Sequence, residues 1–313
     1  MVFLNSIGSI FTIIILIATG LVLTHAGWFN EAVGTTFSKV IMNISLPCYM
    51  LYNITTTFDK SELESMSRNL IVPVISIGVC YLLSILVSNL IKVDRSRKGV
   101  FRSMFFASNT MFIGLPVNLA LFGEKCVSYV LLYYLANTSF YWTAGTYEVS
   151  RDNPENRTAA LLNIQTIKRV FNPAVLGFIS GVVLVLLNIR LPSFIMDSCK
   201  YIGNLTTPLA MFFTGIVLYS VKLKDIRFNK DVIALLLARS VISPALVLLM
   251  LPVFGVPSLM GKVFVIQAAM PAITSTSVVA REYGSDYQFA ALMTAITTVA
   301  SLIVIPFYMW FMA

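Results

Sequence analysis

Apolar residues run along this chain in blocks of about 20 positions, and charged residues gather in the short stretches between the blocks. The blocks fall near residues 7–24, 33–54, 69–91, 100–122, 127–148, 170–189, 199–220, 232–254, 260–283 and 287–311. A hydrocarbon core of about 30 Å needs about 20 mostly apolar helical residues per crossing, so the pattern predicts ten transmembrane helices. The expected fold class is an all-α polytopic membrane protein.

The pattern also repeats. Shifted by 161 positions, Gly20 falls on Gly181, Lys39 on Lys200, Asn43 on Asn204, Pro47 on Pro208, Met50 on Met211 and Gly123 on Gly284. Matches of Leu on Val arise by chance in so apolar a sequence, whereas Asn, Pro, Gly and Lys recurring in one register do not. Residues 1–150 read as a first five-helix repeat, 151–168 as a cytoplasmic linker with Asn153, Pro154 and Asn156, and 169–313 as a second repeat. Five crossings are an odd number, so the second copy enters from the opposite side and the repeats are inverted.

Composition agrees with a membrane setting: 58% of the 313 residues are apolar and 12% charged, with a mean hydropathy of +0.84. One set of loops holds Lys92, Arg95, Arg97, Lys98 and Arg102, then Arg151, Arg157, Lys168 and Arg169, then Lys222, Lys224, Arg227, Lys230 and Arg281. The opposite set holds only Lys60, Arg68, Lys125, Arg190, Lys200 and Lys262. Short basic loops stay cytoplasmic, which puts both termini outside a cell membrane. The net charge of +8 then lies against the inner headgroups of the bilayer and calls for no nucleic-acid partner.

Enzyme chemistry finds little to stand on. His25 is the only histidine, and Cys48, Cys80, Cys126 and Cys199 lack metal-ligand spacing. No nucleophile elbow, zinc-protease motif or phosphate-binding glycine loop is present. The expectation is a protein that is no enzyme and carries no cofactor or metal. Asp59, Glu62, Glu64, Asp94, Glu124, Glu148, Asp152, Glu155, Asp225, Asp231, Glu282 and Asp286 fall in loops or at span ends, against an intramembrane aspartyl protease or a cation antiporter with a buried acid pair. Arg239, about two turns into the eighth span, reads as an anchor snorkelling to the cytoplasmic face.

The informative positions are prolines and polar residues at depth. The fourth span carries Ser108, Asn109, Thr110, Gly114, Pro116 and Asn118, and the ninth carries Gln267, Pro271, Thr274, Ser275, Thr276 and Ser277. Pro116 cannot donate a helical hydrogen bond and disfavours helix at Leu115, so the fourth span is expected to break at Gly114–Leu115, and the ninth at Pro271. Unwound backbone at bilayer depth survives only where protein or a watered cavity satisfies it, so matching breaks point to one shared site. Half-helix N-termini carry partial positive charge, which favours an anion there. The alternative is a pair of kinks that serve packing alone. Asn43, Ser45 and Pro47 match Asn204, Thr206 and Pro208; these amides either tie helices together or line the path.

The run Asn109-Thr110 to Gly114-x-Pro116, Gly123 after it, the stretch Asn204–Pro208 leading to Gly215, and Ala269–Ala272 resemble the auxin efflux carrier family. That family holds plant auxin exporters and bacterial carriers of malate and related organic acids. The resemblance implies an architecture similar to bile-acid sodium symporters and the NhaA antiporter: two inverted five-helix repeats, with discontinuous helices 4 and 9 crossed. Helices 1, 2, 6 and 7 would form a scaffold that commonly dimerises, and helices 3–5 and 8–10 an elevator-like transport domain. It further implies that Asn109 meets a substrate carboxylate and that Pro116 and Pro271 shape the crossing. Phe140 and Tyr141 straddle the place of a ligand-facing tyrosine in the plant carriers. Candidate substrate contacts are Asn109, Thr110, Gly114, Pro116, Asn137, Phe140, Tyr141, Asn43, Asn204, Pro271, Ile273 and Thr274. The expected partners are a small organic anion, the lipid bilayer and a second copy of the chain. A sodium-coupled symporter and a non-transporting sensor are the alternatives.

Overall fold

The computed structural model describes residues 2–60, 68–153, 164–220 and 229–312. Most of the expected linker, 154–163, and the basic stretch 221–228 lie outside these residues. The described chain is helical and contains no strand. Its helices are α1 (Val2–His25), α2 (Glu31–Val40), α3 (Leu46–Thr57), α4 (Ile71–Leu90), α5 (Lys98–Phe106), α6 (Leu115–Phe122), α7 (Val127–Phe140), α8 (Thr146–Ser150) and α9 (Ile164–Val170). They continue with α10 (Pro173–Leu186), α11 (Ser193–Gly203), α12 (Thr206–Tyr219), α13 (Lys230–Leu237), α14 (Ser243–Phe254), α15 (Ser258–Ala268), α16 (Ser275–Tyr283) and α17 (Tyr287–Phe311).

Among the described residues, four helical stretches are long and apolar enough to cross a membrane: Arg68–Leu90, Ser193–Tyr219, Lys230–Phe254 and Tyr287–Phe311. The last has 25 residues, about 37 Å at 1.5 Å per residue, which exceeds the hydrocarbon thickness. Four such stretches in one chain have the length and apolarity of membrane crossings. Helix starts follow local chemistry. Asn30, Asn172, Asn229 and Asp286 each accept from backbone N–H groups in the first turn of the helix that follows.

Three prolines within helical stretches are accommodated by π turns. The turns Ile41–Ser45, Thr110–Gly114 and Ala238–Ile242 each end two residues before Pro47, Pro116 or Pro244. Widening the turn before the proline moves the carbonyl that its ring would strike and whose bond its missing N–H would leave open. This corrects the expected break at Gly114–Leu115: both residues are helical. The interruption of the fourth span is at Ala107–Asn109, upstream of the π turn.

Two compact units are present, each drawing on both halves of the chain: residues 1–69, 111–132 and 168–220, and residues 70–110, 133–167 and 221–313. In the first, α1 packs on α12 and α3 on α10 at backbone contact. A Cβ at Gly20 would lie 2.6 Å from the Phe212 carbonyl oxygen, and one at Gly181 would lie 2.9 Å from Cβ of Ile54. A Cβ at Gly215 would lie 2.8 Å from the Gly20 carbonyl carbon, and the pairs Gly20–Gly215 and Gly181–Ile54 are related by the 161-residue shift at both positions. The Glu124 carboxylate in this unit accepts from the Tyr49 hydroxyl at 2.6 Å and from Asn53 Nδ2 at 3.0 Å.

The second unit ties one end of its helices with charge. Arg97 pairs with Asp231 at 2.7 Å and Arg102 with Glu148 at 2.9 Å, and Tyr81 donates to Glu148 at 2.8 Å. Asp152, in the turn after α8, accepts from the N–H groups of Gly99 and Val100 at the start of α5 and from Ser285 Oγ at 2.6 Å. Burial pushes the Asp152 carboxyl up to about 6 despite these bonds, and the neighbouring Glu148 adds to the rise.

Candidate functional site

The second unit contains the breaks of two interrupted spans, and the breaks pair with each other. Helix α5 ends at Phe106, the chain extends through Ala107, Ser108 and Asn109, and helix resumes at Thr110. Likewise α15 ends at Ala268, and α16 begins at Ser275. The two extended stretches run antiparallel, with a single β-bridge between Ser108 and Ala272. Asn109 N–H donates to the Pro271 carbonyl at 2.8 Å, and Ile273 N–H to the Ala107 carbonyl at 3.3 Å. Part of the backbone freed by each break is thus satisfied by the other, as burial demands.

Side chains complete the crossing. Asn137, fully buried on α7, accepts from Ser108 N–H at 2.9 Å and donates to the Ser108 carbonyl at 2.9 Å. It holds an extended residue as a neighbouring strand would. Thr297 Oγ1 accepts from Ala272 N–H at 3.1 Å, and Gln267 Nε2 donates to the Thr110 carbonyl at 3.3 Å. Asn109 Nδ2 donates to Thr274 Oγ1 at 3.3 Å, so the residues just ahead of the two downstream half-helices meet side chain to side chain. Asn109 and Thr110 are each 2% exposed. Gln267 Oε1 and Thr276 Oγ1 are buried with no protein partner, which leaves hydrogen-bonding capacity for a ligand or water.

Arg239 overturns its expected role as a snorkelling anchor: it is 1% exposed and reaches the crossing. It stands in the π turn between α13 and α14. Its Nη2 donates to the carbonyls of Ala268 at 2.7 Å and Met270 at 2.8 Å, and Nε to Met270 at 3.2 Å. Nη1 donates to Phe105 at 3.3 Å, Phe106 at 3.2 Å and Ser243 Oγ at 3.5 Å. The Phe105, Phe106 and Ala268 carbonyls close the C-terminal ends of α5 and α15, the negative ends of the upstream half-helices, and Met270 lies two residues further on in the break. The sequence signal was available, since a lone arginine inside an apolar span marks a functional position by default.

Of the residues singled out from sequence, the structure gathers Asn109, Thr110, Asn137, Pro271, Ile273 and Thr274 at this crossing. Phe140 and Tyr141 follow on the same unit: Phe140 is half-buried facing Gly78, and Tyr141 is buried with its ring edge-on to Trp142. Gly114, Pro116, Asn43 and Asn204 belong to the first unit. There Asn43 donates to the carbonyl of Lys39 in its own helix at 2.9 Å, and both Asn43 and Asn204 are exposed. Among the described residues no cluster of three His, Cys, Asp or Glu side chains suited to a metal occurs.

Comparison with known proteins gives a consistent result. A family model described as membrane transport protein matches residues 5–309. An uncharacterized transporter of Methanocaldococcus jannaschii is 26% identical over 303 residues, covering 93% of this chain and 96% of the relative. An uncharacterized transporter of Methanothermobacter thermautotrophicus is 23% identical over 317 residues, covering 98% of this chain and 99% of the relative.

Proposed function

The chain belongs to the membrane transport protein family, that of the auxin efflux carriers, and we propose that it is a secondary transporter of a small organic anion, bound where the two broken spans cross. The observation that carries this reading is the charge balance of the crossing. Arg239 neutralises the two negative half-helix ends. The two positive ends, marked by Asn109 and Thr274, keep their preference for an anion. The substrate is a malate-like carboxylate or an auxin-like acid, with the Asn109 amide donating to its carboxylate. No bond is made or broken; the work is movement.

Ten spans in two inverted repeats accommodate this site. Helices fall on every apolar block of the sequence, and the contacts of Gly20 with Gly215 and of Gly181 with Ile54 are related by the 161-residue shift at both positions. The positive-inside rule then puts both termini outside the cell membrane. Alternating access follows an elevator scheme, in which helices 3–5 and 8–10 move as a body against helices 1, 2, 6 and 7 and carry the ligand. Support comes from the concentration of the crossing residues in one compact unit.

One observation favours the sodium-coupled alternative: the unpartnered oxygens Gln267 Oε1 and Thr276 Oγ1 are of the type a hard cation takes. The fixed charge of Arg239 opposes it.

Binding tests the proposal. Titrating purified protein calorimetrically with malate, indole acids and bile acids should give a saturable heat with at least one acid, weakened about tenfold or more in Asn109→Ala. Equal affinity in the variant would remove Asn109 from the site, and binding of none of the acids would reject the substrate class.

A further inference from the structure

Four backbone carbonyl oxygens, of Phe105, Phe106, Ala268 and Met270, converge on one guanidinium at 2.7 to 3.3 Å. They come from two chain segments more than 150 residues apart, both released from helical pairing by the breaks. Among the described residues no Asp or Glu forms an ion pair with Arg239. The counter-charge is supplied by carbonyl dipoles and by the C-terminal ends of α5 and α15. Convergent carbonyls at unwound half-helix ends are also the coordination by which carriers hold sodium at bilayer depth. Guanidinium stays protonated at any pH the protein meets, and its planar fork of donors can serve several carbonyls at once.

We infer that Arg239 is a resident cation of the crossing: it takes the carbonyl coordination an inorganic coupling ion would occupy, and so makes the positive charge of the site independent of sodium. This rests on the reading of the crossing as an anion site, which it deepens by naming how the charge is supplied. A dissociable sodium ion would have to be rebound in every transport cycle, whereas an arginine travels with the unit. Ser243 Oγ accepts from Arg239, and Asn137 and Thr297 are committed to Ser108 and Ala272.

The test measures melting temperature, read from tryptophan fluorescence in detergent, for wild type, Arg239→Gln and Arg239→Lys in matched sodium, lithium and choline chlorides. No organic acid is added, so the outcome does not depend on the substrate class; failure of wild type to bind any acid would count against that class alone. Wild type is expected to melt at one temperature in all three salts. Arg239→Gln should melt several degrees lower in choline and recover, saturably, in sodium, because the vacated carbonyls accept the ion. Arg239→Lys, which keeps a charge but has fewer donors, should melt somewhat lower than wild type and stay indifferent to sodium; it also serves if the glutamine variant does not fold. Saturable sodium stabilisation of wild type or of Arg239→Lys would overturn the inference, as would a folded Arg239→Gln that responds to sodium no more than wild type. A purely structural arginine would give variants destabilised equally in every salt.

Discussion

Replacing Asn137 with alanine should loosen the crossing at Ser108 and leave the rest of the unit folded. In the native protein the Asn137 amide satisfies both backbone groups of Ser108, each at 2.9 Å, and both residues are fully buried. Alanine leaves a buried N–H and a buried carbonyl without those partners, at about 1–3 kcal/mol each. Local relaxation or an admitted water recovers part of this, so the net cost is about 2–4 kcal/mol. Hydrogen exchange reads this directly, because Ser108 N–H is itself one of the bonded groups. If exchange proceeds through local opening, protection of a peptide spanning residues 106–111 should fall about 30-fold to 800-fold. Peptides from α17 should be nearly unchanged. Asn109→Ala is the matched control: its bond to Thr274 is 3.3 Å long and joins two side chains, so Ser108 protection should change by less than about tenfold. Protection in Asn137→Ala within threefold of wild type would refute the argument that this amide takes the place of a strand partner.

Two further predictions concern packing and pH. Gly20→Val drives its side chain into the Phe212 backbone, where a Cβ would already lie 2.6 Å from the carbonyl oxygen. It should cost about 1–3 kcal/mol in thermal unfolding, while Gly8→Val, whose Cβ meets nothing within 4 Å in the same helix, should cost little. Equal melting of the two variants would count against close α1–α12 packing. For Asp152 the carboxyl is raised from 3.8 to about 6 by burial. The folded state therefore binds the proton more tightly than the unfolded state, and this contribution to stability is full below about pH 4 and lost as pH rises through about 6. The difference is worth about 1–3 kcal/mol after allowance for partial exposure, and Asp152→Asn should flatten that part of the pH–stability profile. Superimposable profiles would contradict the assignment.

Much of the helical layout was legible because the bilayer imposes a long, one-dimensional signal. The apolar block at 287–311 coincides with α17, and charge and Asn or Asp caps mark where helices start. The break at Pro271 was legible in place, and that of the fourth span in kind but not in detail. Proline announces a local conflict, yet at Pro116 a π turn absorbs it, and the chain opens instead at Ala107–Asn109. What sustains that opening is tertiary: Asn137 from α7, Pro271 from the ninth span and Arg239 from the eighth. Nothing in the spacing around Arg239 says which carbonyls it will meet, since they lie 29 to 134 positions away. Asn43 and Asn204 show the reverse case. Their recurrence in register was a poor guide to the crossing, because one closes a bond within its own helix and the other sits exposed at a turn.

The most direct test of the central claim is flux. Proteoliposomes containing the purified protein should take up at least one radiolabelled organic acid, beginning with malate, saturably and above empty vesicles. Uptake should be unchanged when sodium is replaced by choline, and should be lost in a folded Asn109→Ala variant. Absence of uptake for every acid of the panel, or full uptake by the Asn109→Ala protein, would contradict the account.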